Sequence, residues 1–77
     1  MNKVRRKKLS EIQEKMSELR EMIDEVLSDE QNAYDNLPES LQDSERGEAM
    51  QTAIDAMESA IGSCEEAEES LEEAQNQ

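Results

Sequence analysis

The chain has 77 residues, and its 21 acidic side chains outnumber eight Lys and Arg, which gives a formal net charge of −13. This length allows one small domain, placed over residues 1–77, whose modest core often needs staples or oligomerisation. The single cysteine, Cys64, excludes an internal disulfide, and with no histidine in the chain it excludes a zinc site. Since no histidine base, nucleophile elbow or phosphate loop occurs, we expect no enzyme activity, no cofactor and no metal.

Basic residues open the chain, but the apolar segment that would complete a signal peptide does not follow them. The sequence also lacks a run of about 18 apolar residues that could cross a membrane. A single free cysteine is typical of a reducing compartment. We therefore expect a cytoplasmic protein that does not enter a membrane.

The first predicted element is a long helix over about residues 3–33, rich in Glu, Lys, Leu and Met, which favour helix. Its apolar residues recur at alternating steps of three and four, which is the a/d spacing of a coiled coil. We call this stripe the predicted seam of the first helix: Leu9, Ile12, Met16, Leu19, Ile23 and Val26.

A connection with a short helical turn is predicted for residues 34–45. The residue before a proline is pushed away from helical angles, so the first helix should end near Asn36. Pro38 is expected to be the first residue of the short helical turn. Asp43 or Ser44 is expected to cap the next helix.

Two residues near this connection each have two interpretations. Gly47 either permits a close approach, with Ala33 as the facing residue, or is simply a tolerated glycine near a helix start. Tyr34, the only aromatic residue, either packs on the loop or contacts a partner. Tyrosine is enriched among the residues that dominate binding interfaces.

A second long helix is predicted over about residues 46–75. Its seam also alternates steps of three and four: Met50, Ala53, Met57, Ala60, Cys64, Ala67, Leu71 and Ala74. In an antiparallel arrangement Leu9 faces Leu71 and Ile23 faces Met57, so the two seams match along their length. The basic residues 3–8 would then lie beside the acidic residues 68–73, which favours this orientation. The predicted fold is an all-α antiparallel two-helix coiled-coil hairpin.

Further apolar residues flank the two seams: Met22, Leu27, Ile54 and Ile61. A stripe wider than a/d suits a bundle better than an isolated pair of helices. We therefore predict a homodimer that forms a four-helix bundle through these four residues. The alternative is a monomer whose central segment folds over the stripe as a third helix.

Charge is unevenly distributed along the chain. Residues 1–20 carry about +4 and residues 21–77 about −17. The predicted partner-binding face consists of acidic residues that mostly avoid the seam: Glu45, Glu48, Asp55, Glu58, Glu65, Glu66, Glu69, Glu72 and Glu73. Such a face attracts a basic protein, or it only keeps a small dimer soluble. Because the net charge repels phosphate, we expect no direct nucleic-acid binding despite the basic residues 5–8.

The segment "AYDNLPESLQDSERGEAMQTAIDAMESAI", residues 33–61, resembles a recurring pattern in short, acidic, uncharacterised helical proteins of bacteria and their phages. The resemblance supplies no catalytic or binding residues. It implies a kind of protein, since small acidic proteins of phages and mobile elements are often inhibitors of host nucleases or defence systems, including DNA mimics and anti-CRISPR proteins.

Two functions follow as expectations. The first is a phage- or mobile-element-type inhibitor whose acidic face blocks a basic nucleic-acid-binding surface of a host protein, such as a nuclease, with Tyr34 as a loop contact. The alternative is an oligomeric coiled-coil scaffold or adaptor whose acidic face only solubilises it.

Overall fold

A computed structural model describes residues 1–77 and contains three helices and no strands: α1 Lys3–Asp35, α2 Glu39–Gln42 and α3 Glu45–Gln75. The long helices α1 and α3 pack against each other in a rod with Cα extents of 58 × 15 × 12 Å. Contacts of Gln13 with Gln75 and of Arg20 with Glu68 show that the two helices run antiparallel. The predicted all-helical hairpin is confirmed, and no helix is long and apolar enough to cross a membrane.

Both long helices begin at polar N-caps. The side chain of Asn2 accepts a hydrogen bond from the backbone N of Arg5 at 2.9 Å. Ser44, one of the two predicted caps, accepts through Oγ from the backbone N of Gly47 at 3.4 Å. Each cap satisfies an N–H group that has no partner within its own helix.

The connection is fastened to the end of α1. Pro38 precedes α2 rather than beginning it, and its carbonyl accepts from the backbone N atoms of Leu41 at 2.8 Å and Gln42 at 3.1 Å. The Gln42 side chain donates to the carbonyls of Tyr34 at 3.1 Å and Leu37 at 3.3 Å. These bonds satisfy carbonyl groups at and just beyond the end of α1 that have no helical partner.

Gly47 is buried where α2 meets the first turn of α3. A Cβ atom at this position would lie 2.7 Å from the Cα atom of Gln42 and closer still to its carbonyl group. The close-approach interpretation is therefore correct, but the neighbour is Gln42 and not Ala33. The short helix α2 folds back onto α3 more tightly than the sequence pattern indicates.

The contact between α1 and α3 is rotated relative to the predicted seams. Three members of the predicted seam of the first helix remain largely on the surface: Ile12 (47% exposed), Leu19 (52%) and Val26 (58%). The residues that follow them by one position, Gln13, Arg20 and Leu27, are half-buried instead. The rotation has a physical cause, because the side chains of Gln13 and Arg20 hydrogen-bond directly to α3.

The same rotation changes the position of the predicted dimer stripe. Ile54 is 1% exposed, and Leu27 and Ile61 are half-buried. Heptad spacing places Leu27 in one row with Gln13 and Arg20, and Ile54 and Ile61 in one row with Glu68 and Gln75, the residues that join the two long helices. Only Met22, at 60% exposed, remains on the surface. Ile54 is thus already covered within one chain, whereas the role of Met22, Leu27 and Ile61 in a dimer stays a prediction.

The single hairpin has almost no interior. Gly47 and Ile54 are its only buried residues among 77. The short helix α2 has four residues and packs on α3, as a third helix, but Met22 of the stripe remains 60% exposed, so the central segment does not cover the whole stripe. Four large apolar side chains of α1 therefore remain largely uncovered within one chain: Ile12, Leu19, Met22 and Val26.

Candidate functional site

Two grooves with opposite chemistry run along the junction of α1 and α3. The polar groove is lined only by polar residues: Ser10, Gln13, Glu14, Ser17, Arg20, Glu65, Glu68, Glu69 and Glu72. The apolar groove is lined only by apolar residues: Leu19, Met22, Ile23, Val26, Met57, Ala60 and Cys64. Residues two apart on a helix do not share a face. Since Ser17 lines one groove and Leu19 the other, the grooves lie on opposite sides of the hairpin.

An ion pair crosses the polar groove. Arg20 Nε donates to Glu68 Oε2 at 3.1 Å, and Arg20 Nη2 donates to Ser17 Oγ at 3.3 Å. The Arg20 and Glu68 side chains are 32% and 14% exposed, so the pair is partly shielded from water. Further along, Gln75 Nε2 donates to Gln13 Oε1 at 2.7 Å. Polar side chains, not apolar ones, thus join this part of the two helices.

All nine acidic residues of the predicted partner-binding face are exposed, and none forms an ion pair. Six of them lie on the side of the polar groove, because they line it or are spaced by multiples of seven from residues that do. We call these six residues the acidic face: Glu48, Asp55, Glu58, Glu65, Glu69 and Glu72. The other three lie along the outer edge of α3: Glu45, Glu66 and Glu73. The two groups were not separated by the sequence pattern.

The acidic face is an unneutralised row of charge. Only Asp55 has a side-chain hydrogen bond, which it accepts from Gln51 at 3.0 Å. Like charges four residues apart on a helix repel each other, as Glu65 and Glu69 do here. An arrangement of this kind attracts ammonium and guanidinium groups. It contains no set of three or more His, Cys, Asp or Glu side chains that could hold a metal ion.

The basic N-terminal residues do not form the predicted pairs with the acidic end of α3. The only ion pair in the structure joins Arg20 to Glu68. Arg6 Nη2 instead donates to the backbone carbonyl of Gln77 at 3.0 Å, and the amino group of Met1 donates to the same oxygen at 3.3 Å. The rotation of the helices explains the difference, because it turns Glu68 toward Arg20.

The contribution of α1 to the polar groove, through the side chains of Gln13 and Arg20, was not predicted from the sequence. Gln13 and Arg20 are spaced by seven residues, as are Glu68 and Gln75 on α3. This repeated polar spacing was a signal that each helix has a second, polar row beside the apolar one.

Tyr34 lies at the loop end of the rod. Its side chain is half-buried, and its backbone carbonyl accepts from Gln42. The half-buried side chain is compatible with packing on the loop. Its role as a partner contact stays a prediction.

Comparisons of this chain with protein-family models, with curated proteins and with solved structures find no match.

Proposed function

We propose that this protein acts by binding, and that its acidic face occupies a basic surface of a nucleic-acid-handling host protein. The proposal is an inhibitor of the phage or mobile-element type, similar in principle to a DNA mimic or an anti-CRISPR protein. The observation that supports it is a row of exposed carboxylates along α3 without any intramolecular cation. The sequence resemblance of residues 33–61 points to the same class of protein.

The spacing of the carboxylates suits such a partner. Side chains one helical turn apart lie about 5–6 Å from each other, so Glu65, Glu69 and Glu72 form a continuous line of negative charge. Glu58 extends this line two turns, or about 10 Å, toward the loop end. Surfaces that hold a nucleic-acid backbone are rich in Lys and Arg. Opposite potentials of this kind speed association and select the partner.

The test is a capture experiment from host lysate at low and high salt, followed by DNA competition on each captured protein. The acidic-face variant replaces four groove-side residues: E58Q, E65Q, E69Q and E72Q. A control variant removes the same number of charges from α1: E11Q, E18Q, E21Q and E25Q. We expect DNA to displace the partner, high salt to weaken the complex, and only the acidic-face variant to lose binding.

The opposite results would contradict the proposal. If the two variants weaken capture equally, net charge and not the acidic face determines binding. If DNA does not compete, the partner is held through a surface other than its nucleic-acid site.

The second candidate is a coiled-coil scaffold or adaptor with a merely solubilising acidic face. The apolar groove supports it, since an uncovered apolar face marks an interaction surface. Self-association as a homodimeric four-helix bundle is part of both candidates. A scaffold would assemble at high salt and retain its binding partners in the acidic-face variant.

A further inference from the structure

We propose that a second copy of this chain covers the apolar groove, with the loop ends of both hairpins at the same end of the dimer. In this arrangement α1 of each copy packs on α3 of the other. The inference concerns the side of the rod opposite the acidic face, and it does not depend on the proposed inhibitor function.

The need for a cover follows from the small interior of one chain. A 77-residue domain with one buried apolar side chain has too little core to be stable alone. The exposed apolar residues Leu19, Met22 and Val26 lie together at the apolar groove. The rod has a Cα length of 58 Å, so a second hairpin laid along this side can cover the apolar groove over its whole length.

The two helices offer unlike surfaces on this side. α1 contributes the large side chains of Leu19, Met22 and Val26. Beside Met57 and Cys64, α3 carries a row of small side chains at alternating steps of three and four: Ala49, Ala53, Ala56, Ala60, Ser63, Ala67, Ser70 and Ala74. Packing α1 on the partner's α3 sets the large residues of α1 against this row of small residues. Packing α1 on the partner's α1 would crowd large residues in one half and leave gaps in the other, which close-packed interiors do not tolerate.

The register of the dimer follows from symmetry. A two-fold axis parallel to the rod does not change the position of any residue along the rod. Each residue of α1 therefore lies beside the same residues of the partner's α3 as of the α3 in its own chain. Within one chain, Ser10 of α1 and Glu72 of α3 line the polar groove at about the same position along the rod. Ser17 and Glu65 form a second pair of this kind. At the matching heights, Lys15 meets Glu66 of the partner subunit and Lys8 meets Glu73 of the partner subunit.

Charges at the rim fit this register. Lys8, Lys15, Glu66 and Glu73 are all exposed and have no ion pair within their own chain. The acidic residues Glu11 and Glu18 of α1 fall opposite small neutral residues of the partner's α3. The arrangement therefore joins opposite charges without setting like charges against each other.

The dimer also explains the alternating apolar pattern of α1. Ile12, Leu19 and Val26 remain largely exposed in one hairpin, but they become interior when a second hairpin covers them. In a four-helix bundle the a/d residues of each helix point between its two neighbours. In the dimer, the predicted seams therefore form the core between the two hairpins. The rotated contact joins α1 and α3 within each hairpin.

Cysteine cross-linking tests the arrangement. In a C64S background, K15C chains are mixed with E66C chains and oxidised mildly. We expect a mixed disulfide between K15C and E66C chains, and none in the matched pair E14C and E65C, which lies at the polar groove. The proposal is overturned if the K15C and E66C mixture links no better than this control. It is also overturned if K15C chains alone link efficiently to each other, because the proposed arrangement keeps the two Lys15 residues apart and such a link requires α1 to pack on α1.

Charge reversal tests the rim pairs without oxidation. Because K15E removes two exposed pairs in each dimer, we expect the dimer Kd measured by sedimentation equilibrium to rise about tenfold. The double variant K15E with E66K should restore it, and circular dichroism checks that each variant remains helical. A wild-type mass of 8.8 kDa up to about millimolar concentration, or no rescue, overturns the proposal. These variants leave the acidic face intact, so failure here is separable from failure of the inhibitor function.

Discussion

At the scale of single residues, the two glycines of this chain have opposite roles. A Cβ atom at Gly47 would overlap the backbone of Gln42, while a Cβ atom at Gly62 would meet nothing within 4 Å. Gly47 is thus required by the close approach of α2 to α3. Gly62 only weakens the middle of α3.

The glycine pair gives the first prediction. G47A should lower the free energy of unfolding by about 1–3 kcal/mol through overpacking, while G62A should raise it by about 0.5–1 kcal/mol through helix propensity. Urea denaturation at one fixed protein concentration measures both. Equal effects of the two substitutions would show that α2 does not pack on Gly47.

The ion pair of the polar groove gives the second prediction. R20M leaves the largely buried carboxylate of Glu68 without its donor, so we expect a loss of about 1–2 kcal/mol in the free energy of unfolding. Replacing both residues, R20L with E68L, should restore stability or increase it, because a partly buried pair offsets little more than its desolvation. A double variant less stable than R20M would contradict this role, and thermal denaturation decides between the outcomes.

At the scale of the elements, the turn into α3 depends on one side chain. Ser44 Oγ accepts from the backbone N of Gly47 and donates to the carbonyl of Leu41, so it connects the end of α2 with the start of α3. The backbone N–H of Gly47 and the carbonyl of Leu41 lie at helix ends, where such groups have no partner within their own helix.

The third prediction concerns this cap. S44A should lower the free energy of unfolding by about 1 kcal/mol, whereas S44D should retain most of it, because aspartate also caps helices. S40A, at an exposed serine within α2, is the matched control and should change little. A larger effect of S40A than of S44A in urea denaturation would contradict the assigned cap.

The helices themselves were predictable from the sequence. α1 ends at Asp35 where residue 33 was expected, and α3 begins at Glu45 where residue 46 was expected. Helix formers, the break before Pro38 and the capping residues act locally, so a single sequence reveals them.

The rotation of the helices was not predictable in the same way. A 3–4 apolar pattern is shared by a two-helix contact and by the core of a four-helix bundle, and it does not specify which one a single chain adopts. Here the polar contacts of Gln13 and Arg20 with α3 decide the rotation of one hairpin. Such pairs depend on which residues meet across 48 to 62 positions of sequence, and local pattern does not contain that information.

At the scale of the whole molecule, the rod separates two kinds of surface. The apolar groove and the acidic face lie on opposite sides, so a face-to-face dimer would leave both acidic faces outward and free. Each dimer would then bind two basic partners, and neither partner would compete with dimerisation.

Salt should distinguish the two surfaces, which is the fourth prediction. Burial of apolar surface does not depend on ion pairing, so the dimer should persist at about 1 M NaCl. Binding of a basic partner to the acidic face should weaken strongly over the same range because surface charges are screened. Sedimentation and binding titrations at matched salt concentrations measure the two effects, and a dimer that dissociates as salt rises would contradict the apolar interface.

Small-angle X-ray scattering of the wild-type protein shows whether two hairpins stack face to face. Such a dimer has the mass of two 8.8 kDa chains and a maximum dimension close to that of one rod, whose Cα length is 58 Å. The mass of one chain would contradict it, as would the mass of two chains with a maximum dimension near twice this length.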